Sequence, residues 1–198
     1  MQVLITMQFD GTNYHGFQVQ KNALSVCEVL QNALERLYLS LIHIYEKNKF
    51  SVVRYGAITT QSHTQFEDRL EEIYNDMCHL LDALRPDAMA VETLFFTTNK
   101  TTAIAVAEAR GVILLSAKQA HVPVFEYTPM QVKQSVSGYG KAPKKQVQEM
   151  TKTLLGLQEV PKPDDTADAL AMAICHAYSY RSLQYGVALT RRQQMGYF

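Results

Sequence analysis

The chain has 198 residues, enough for one well-buried domain with room for an appendage. Apolar residues make up 47% and charged residues 19%, and the formal net charge is zero, so overall charge neither favours nor excludes a nucleic-acid partner and only its distribution can speak. No apolar run reaches the roughly 18 residues of a membrane-spanning helix and no basic segment with an apolar core opens the chain, which predicts a cytoplasmic protein. Cys27, Cys78 and Cys175 are odd in number and far apart, which excludes a disulfide framework or a paired-cysteine zinc site.

From the start of the chain, Val3, Ile5, Met7 and Phe9 alternate with polar or smaller neighbours and predict a strand over 2–9, ended by Asp10-Gly11. A short second strand is expected at 16–20, and Val26, Val29, Leu30, Ala33, Leu34 and Leu37 recur at the spacing of a helix over 24–38. This opening, FDGTNYHGFQVQKNALSVCEVLQNALERL, resembles the N-terminus of the TruA-type tRNA pseudouridine synthases, with their first strand, a YDGT-type turn and a GFQ-Q run. The resemblance stops near Tyr38. The later motif of GRTD-G-H type that carries that family's catalytic Asp has no counterpart in this chain.

The composition changes abruptly at 39–45 (LSLIHIY), a β-prone heptapeptide that reads as a joint between two unrelated fragments. Residues 46–49 (EKNK) supply a turn, and 50–59 (FSVVRYGAIT) is strongly strand-like, so 39–45 is expected to pair back on 50–58 as an antiparallel hairpin. Phe66, Leu70, Ile73, Met77, Leu80 and Leu84 then mark the apolar face of a helix over 64–84, with Glu67, Asp68, Arg69, Glu71 and Glu72 opposite.

Residues 88–92 (AMAVE) follow a turn and read as a short buried strand that ends on Glu92. Taken alone, Glu92 is as readily a helix-starting or loop acid as a buried carboxylate in need of a partner or a cation. An Ala-rich helix over 100–120, whose Ala105, Ala109 and Gly111 suggest close packing on a sheet, precedes a strand at 121–127. Strands alternating with helices predict an α/β layout, in which ligands collect at the carboxyl ends of the strands.

The chain's basic stretch is 131–163, where Lys133, Lys141, Lys144, Lys145, Lys152 and Lys162 face only Glu149 and Glu159. It reads either as a solvated helix face or as a surface that tracks phosphates. Beyond it lies DDTADALAMAICHA (164–177), where Asp168 sits three residues past Asp165, hence on the same side of a helix that is otherwise almost wholly apolar. Glu92, Asp165 and Asp168 would repel one another if brought together unless a divalent cation neutralised them, and hard oxygen ligands select Mg²⁺, with Mn²⁺ as a substitute. Such a cluster suits metal-assisted phosphodiester hydrolysis.

From about Tyr45 to Tyr180 the sequence resembles the RuvC family of Holliday-junction resolvases, through YGAITT, AVETLFFTTNKTTAIAVAEARGVILL, YTPMQVKQSVSGYGKA, KKQVQEM and DDTADALAMAICHA. The resemblance implies an RNase H-like α/β fold, a mixed sheet flanked by helices, and a homodimer that cuts four-way DNA junctions beside a RuvA/RuvB-type branch-migration complex. It also implies that Glu92, Asp165 and Asp168 are metal-binding catalytic carboxylates, that Phe95 stacks on a base, and that Lys133 and Lys144 contact DNA. His176 stands where that family often has histidine and is expected to serve helix packing, while His63 and His121 have no assigned role. The organisation expected is a foreign segment over 1–44, a nuclease domain over 45–180 and a tail over 181–198.

One departure matters. Members of that family begin with a strand ending in a GIDPG motif, whose Asp is the first metal ligand, and this chain has no such motif. Asp10 is the candidate to replace it, and poor cleavage is expected if it does not. Two other readings stand beside the resolvase: a fragment of a tRNA pseudouridine synthase, and a junction-binding module without catalysis.

Overall fold

The computed structural model describes residues 2–6, 36–44, 50–61, 64–93, 100–162 and 164–184. Its centre is a five-stranded mixed sheet of order β3-β2-β1-β4-β5, built from β1 (Gln2–Thr6), β2 (Arg36–Ile44), β3 (Phe50–Thr59), β4 (Ala88–Glu92) and β5 (Val124–Tyr127). The first three strands pair antiparallel and β1, β4 and β5 run parallel, so the α/β mixed sheet read from the sequence is the one found. Helices α1 (Phe66–Leu84), α2 (Lys100–Gln119), α3 (Pro129–Ser137), α4 (Lys144–Leu154) and α5 (Asp164–Gln184) complete the described chain.

The period-two geometry of β4 explains the three layers. Met89 and Val91 are buried in one core with Ile73, Met77 and Leu81 of α1 and Ala109, Ile113 and Ala117 of α2. Ala90 points the other way, into a core with Val132 and Val136 of α3, Val147 of α4 and residues 169–175 of α5. Both faces of this strand are therefore dry, and each fully buried side chain such as Met77, Met89 or Ile113 contributes roughly 1.5–3 kcal/mol.

The hairpin expected over 39–45 and 50–58 is present and longer, because β2 begins at Arg36. Residues 36–38 are thus strand where the spacing predicts the end of a helix; pairing of Arg36, Leu37 and Tyr38 with Thr59, Ile58 and Ala57 overrides a weak local propensity. The remainder of that helix, residues 7–9 of the first strand and the strand at 16–20 lie outside the described residues. Leu41 pairs with Arg54 and Ile42 with Val52, so Val53 is the extra residue of a bulge in β3, half-exposed on the edge strand.

Three other expectations are corrected. Arg69, assigned to the solvent side of α1, is buried and its Nε donates to Thr60 Oγ1 at 3.0 Å, because the buried stripe runs through 69, 73, 77 and 81. Gly111 does not pack on the sheet: it lies on the exposed side of α2, and a Cβ there would meet nothing, whereas Ala109 is buried. The strand expected over 121–127 is confined to Val124–Tyr127, since His121 adopts a left-handed turn conformation with φ 57° and Pro123 cannot donate to the ladder.

The central position of β1, between β2 and β4, makes its backbone indispensable, and Leu4 pairs with Leu41 on one side and Met89 on the other. Leu4→Pro removes a ladder donor there and is expected to lower Tm by about 5 °C or more in a thermal melt followed by circular dichroism. An unchanged Tm would show that the sheet does not depend on β1.

Candidate metal and nucleic-acid site

Parallel pairing puts the carboxyl ends of β1, β4 and β5 at one edge of the sheet. Thr6 pairs with Val91, and Glu92 pairs with Tyr127, so β1 ends beside the residue that precedes Glu92. The Thr93 amide donates to the Tyr127 carbonyl at 2.9 Å, which carries the pairing one residue past the strand. Glu92 is half-buried at this edge, as the strand-end reading expects.

The acids of 164–168 form the head of α5, a helix whose body from Thr166 to Ala177 is buried except at Asp168. Acids in a first turn are favoured by the helix dipole, and here Asp164 and Asp165 occupy it. The Lys144 ammonium reaches all three carboxylates: Nζ lies 3.2 Å from Asp168 Oδ2, 3.7 Å from Asp164 Oδ2 and 3.8 Å from Asp165 Oδ1. Burial pushes the Asp168 carboxyl above its usual range, and the opposing pull of Lys144 does not cancel it. Burial also pushes Lys144 down, but the negative charges of Asp168 first, then Asp165 and Asp164, leave it above its usual value.

The lysine-bearing elements are set by strong local signals. Thr128 and Gln131 form a reciprocal capping box at the start of α3, with Pro129 in its first turn, and Gly138 at φ 75° ends it by donating to the Gln134 carbonyl. Lys133 lies half-buried within α3. The link to α4 passes through Gly140, which presses so closely on Met130 that an added Cβ would fall 2.7 Å from its Cγ.

The structure therefore brings Asp165, Asp168 and Lys144 together and adds Asp164 to them. Lys144 as their shared partner was not legible, since it lies in a different helix. Among the described residues no three His, Cys, Asp or Glu side chains are grouped to hold a metal ion, so Glu92 is not already gathered to the aspartates. Phe95, Asp10 and His63 lie outside the described residues. The donor chemistry nonetheless fits a hard divalent cation: Asp165 and Asp168 already converge on one positive charge, and both offer only carboxylate oxygen.

His176 is fully buried, in line with a packing role. Its Nδ1 lies 2.8 Å from the Tyr127 hydroxyl, and Phe125, Tyr127 and Tyr180 surround the ring at centroid distances of 4.7, 5.8 and 5.7 Å. Nε2 meets no hydrogen-bonding group among the described residues. Burial holds the imidazole down at about 4 against an ordinary 6.5, and burial likewise pushes the Tyr127 hydroxyl far up.

A family model described as "Crossover junction endodeoxyribonuclease RuvC" matches residues 30–176, beginning well before Tyr45. A crossover junction endodeoxyribonuclease RuvC of Halothermothrix orenii is 57% identical over 134 residues, which span 68% of this chain and 81% of that protein. One from Rubrobacter xylanophilus is 53% identical over 150 residues, 75% of this chain and 84% of that protein. Among solved structures, Thermus thermophilus RuvC in complex with a Holliday junction substrate superposes with a TM-score of 0.75 at 30% identity, over 91% of this chain and 95% of that one. The fold is thus the RNase H-like one expected.

His176 gives the site's supporting core a pH dependence whose sign follows from its depressed value. Stability is complete above the ordinary 6.5 and is lost as the pH falls toward about 4, because the unfolded chain binds the proton first. The difference between wild type and His176→Asn in urea unfolding should therefore shrink by on the order of 3 kcal/mol between pH 7.5 and pH 4. A constant difference would show that the ring protonates freely in the fold.

Proposed function

The chain belongs to the RuvC family of crossover junction endodeoxyribonucleases, and on that premise we propose how its residues serve the reaction. The family's activity is hydrolysis of phosphodiester bonds at crossover junctions, in DNA recombination and repair. The observation that carries the site assignment is the convergence of Asp165 and Asp168 on one cationic group at the head of α5.

Asp165 and Asp168, with Glu92 at the end of β4, would hold Mg²⁺, for which Mn²⁺ substitutes. When bound, the metal polarises the scissile phosphate and activates water. Glu92 acts as the strand-borne ligand that closes the set. Lys133 and Lys144 neutralise backbone phosphates, and Phe95 stacks on a base of the junction. The first carboxylate is the weak point. Asp10 follows Thr6 by four residues and β1 ends beside Val91, which supports Asp10 as the replacement ligand, but its sequence context, FDGT, is not the GIDPG of the family. Cleavage by the chain as it stands is therefore slow.

The active form is a two-fold homodimer, each subunit making one incision, since a symmetric junction and paired cuts call for a symmetric enzyme. Support comes from the outer side of α2, where Ile104 and Leu115 are 59% and 51% exposed and the exposed Gly111 between them permits close approach. The enzyme works beside a RuvA/RuvB-type branch-migration complex in the cytoplasm, and no helix among the described residues is long and apolar enough to cross a membrane. We further infer that 1–44 is a foreign segment, 45–180 the nuclease domain and 181–198 a tail. The TruA-like residues and the shift at 39–45 support a foreign opening, whereas the family match from residue 30 and the pairing of β2 with β3 assign the last residues of that segment to the nuclease domain; sequencing the locus across codons 36 to 48 tests the boundary.

Replacing residues 1–11 by a strand ending in GIDPG, with β2 (Arg36–Ile44) kept, should raise junction cleavage by orders of magnitude. Glu92→Gln in that restored protein should lower it on the order of 10³-fold or more while junction binding in a gel-shift assay is kept. Vigorous Mg²⁺-dependent cleavage by the unmodified chain, lost on Asp10→Asn, would show instead that the first strand had rebuilt the site.

Leu115→Glu, which places a charge on the outer side of α2, should shift the chain from dimer to monomer in sedimentation equilibrium and weaken association roughly tenfold or more. A dimer that survives it would place the two-fold interface elsewhere.

A further inference from the structure

Lys144 is the first residue of α4, where a positive charge opposes the helix dipole, and Lys145 follows it with no acid in that first turn. The placement is unfavourable within α4 and is explained only across the gap, by Asp164, Asp165 and Asp168 at the head of α5. Two helix starts, one bearing an ammonium and the other three carboxylates, face each other. Half of the lysine side chain stays exposed, so the ammonium has room to leave.

Three carboxylates packed together without a cation would repel one another, and in this geometry the lysine supplies the cation. A divalent ion ligated by Asp165 and Asp168 would compete with the ammonium, which lies 3.2 Å from Asp168 Oδ2 and 3.8 Å from Asp165 Oδ1, because two cations drawn to the same carboxylates repel each other. We propose that Lys144 is a placeholder for the metal: its ammonium holds the α5 carboxylates in position before metal binding and is displaced when the metal enters, freeing it for a DNA phosphate. Lys144 is then a positioning residue for the metal ligands, and the order of events is metal first, lysine contact with DNA second. This rests on the metal-nuclease reading above and adds to it the role of the lysine in the metal-free chain.

The test is calorimetric titration of the full chain with Mn²⁺ alone, without DNA. Lys144→Ala should bind Mn²⁺ roughly tenfold more tightly than wild type, because three partly exposed ion pairs no longer compete. Lys144→Arg keeps the charge and should stay near the wild-type affinity. Lys145→Ala removes the same unit of charge one residue away and should change it little. In EDTA, Lys144→Ala should melt below wild type, and the gap should close on adding Mn²⁺. Binding that is lost in Asp168→Asn yet equal in wild type and Lys144→Ala, or weaker in Lys144→Ala, overturns the placeholder and leaves the metal site standing. Absence of Asp168-dependent Mn²⁺ binding in every variant overturns both.

Discussion

The burial of α5 is the constraint on which the rest depends. From Thr166 to Ala177 this helix is enclosed on nearly every side, by the sheet beneath and by α3 and α4 beside it. A helix buried all round needs small or apolar residues at almost every position, and Ala167, Ala169, Ala171, Ala173 and Ala177 meet that need while letting neighbouring backbones approach. Polar groups are then pressed to its ends or made exceptional. The carboxylates collect at its head, where dipole and solvent both favour them, and His176 is trapped in the core as a neutral ring against Tyr127.

That same burial shapes the chemistry. Asp168 stands where the helix passes from rim to core, so its carboxyl is costly to ionise and finds a positive partner in Lys144. The pairing is not evidence of much stability, because ion pairs this exposed contribute little. Its meaning lies in position: a cation is already favoured at the point where metal ligands are expected.

The opening strand answers a different need. A mixed sheet with antiparallel β2 and parallel β4 has a place between them in which backbone donors and acceptors of both neighbours would be left without partners. Gln2–Thr6 fills that place with ordinary hydrogen-bonded ladders on both sides, although its sequence carries nothing of the GIDPG pattern. Backbone pairing asks only for an extended segment of the right length, whereas catalysis asks for a carboxylate at one register position. Fold and activity can therefore part company in the same five residues.

Features encoded by short spacings were determined by the sequence itself. Period-two alternation gave β1, a short apolar run after a turn gave β4 with Glu92 closing it, a turn between two β-prone runs gave the hairpin, and the interval of three residues put Asp165 and Asp168 on one side of α5. The tertiary structure alone decided what depends on partners distant in the chain. It buried Arg69 against Thr60, turned Gly111 outward, began β2 at Arg36 and brought Lys144 onto the acids of α5. The physical reason is one of range: a residue's own neighbours fix which side of a helix or strand it occupies, but only packing between elements fixes what that side meets.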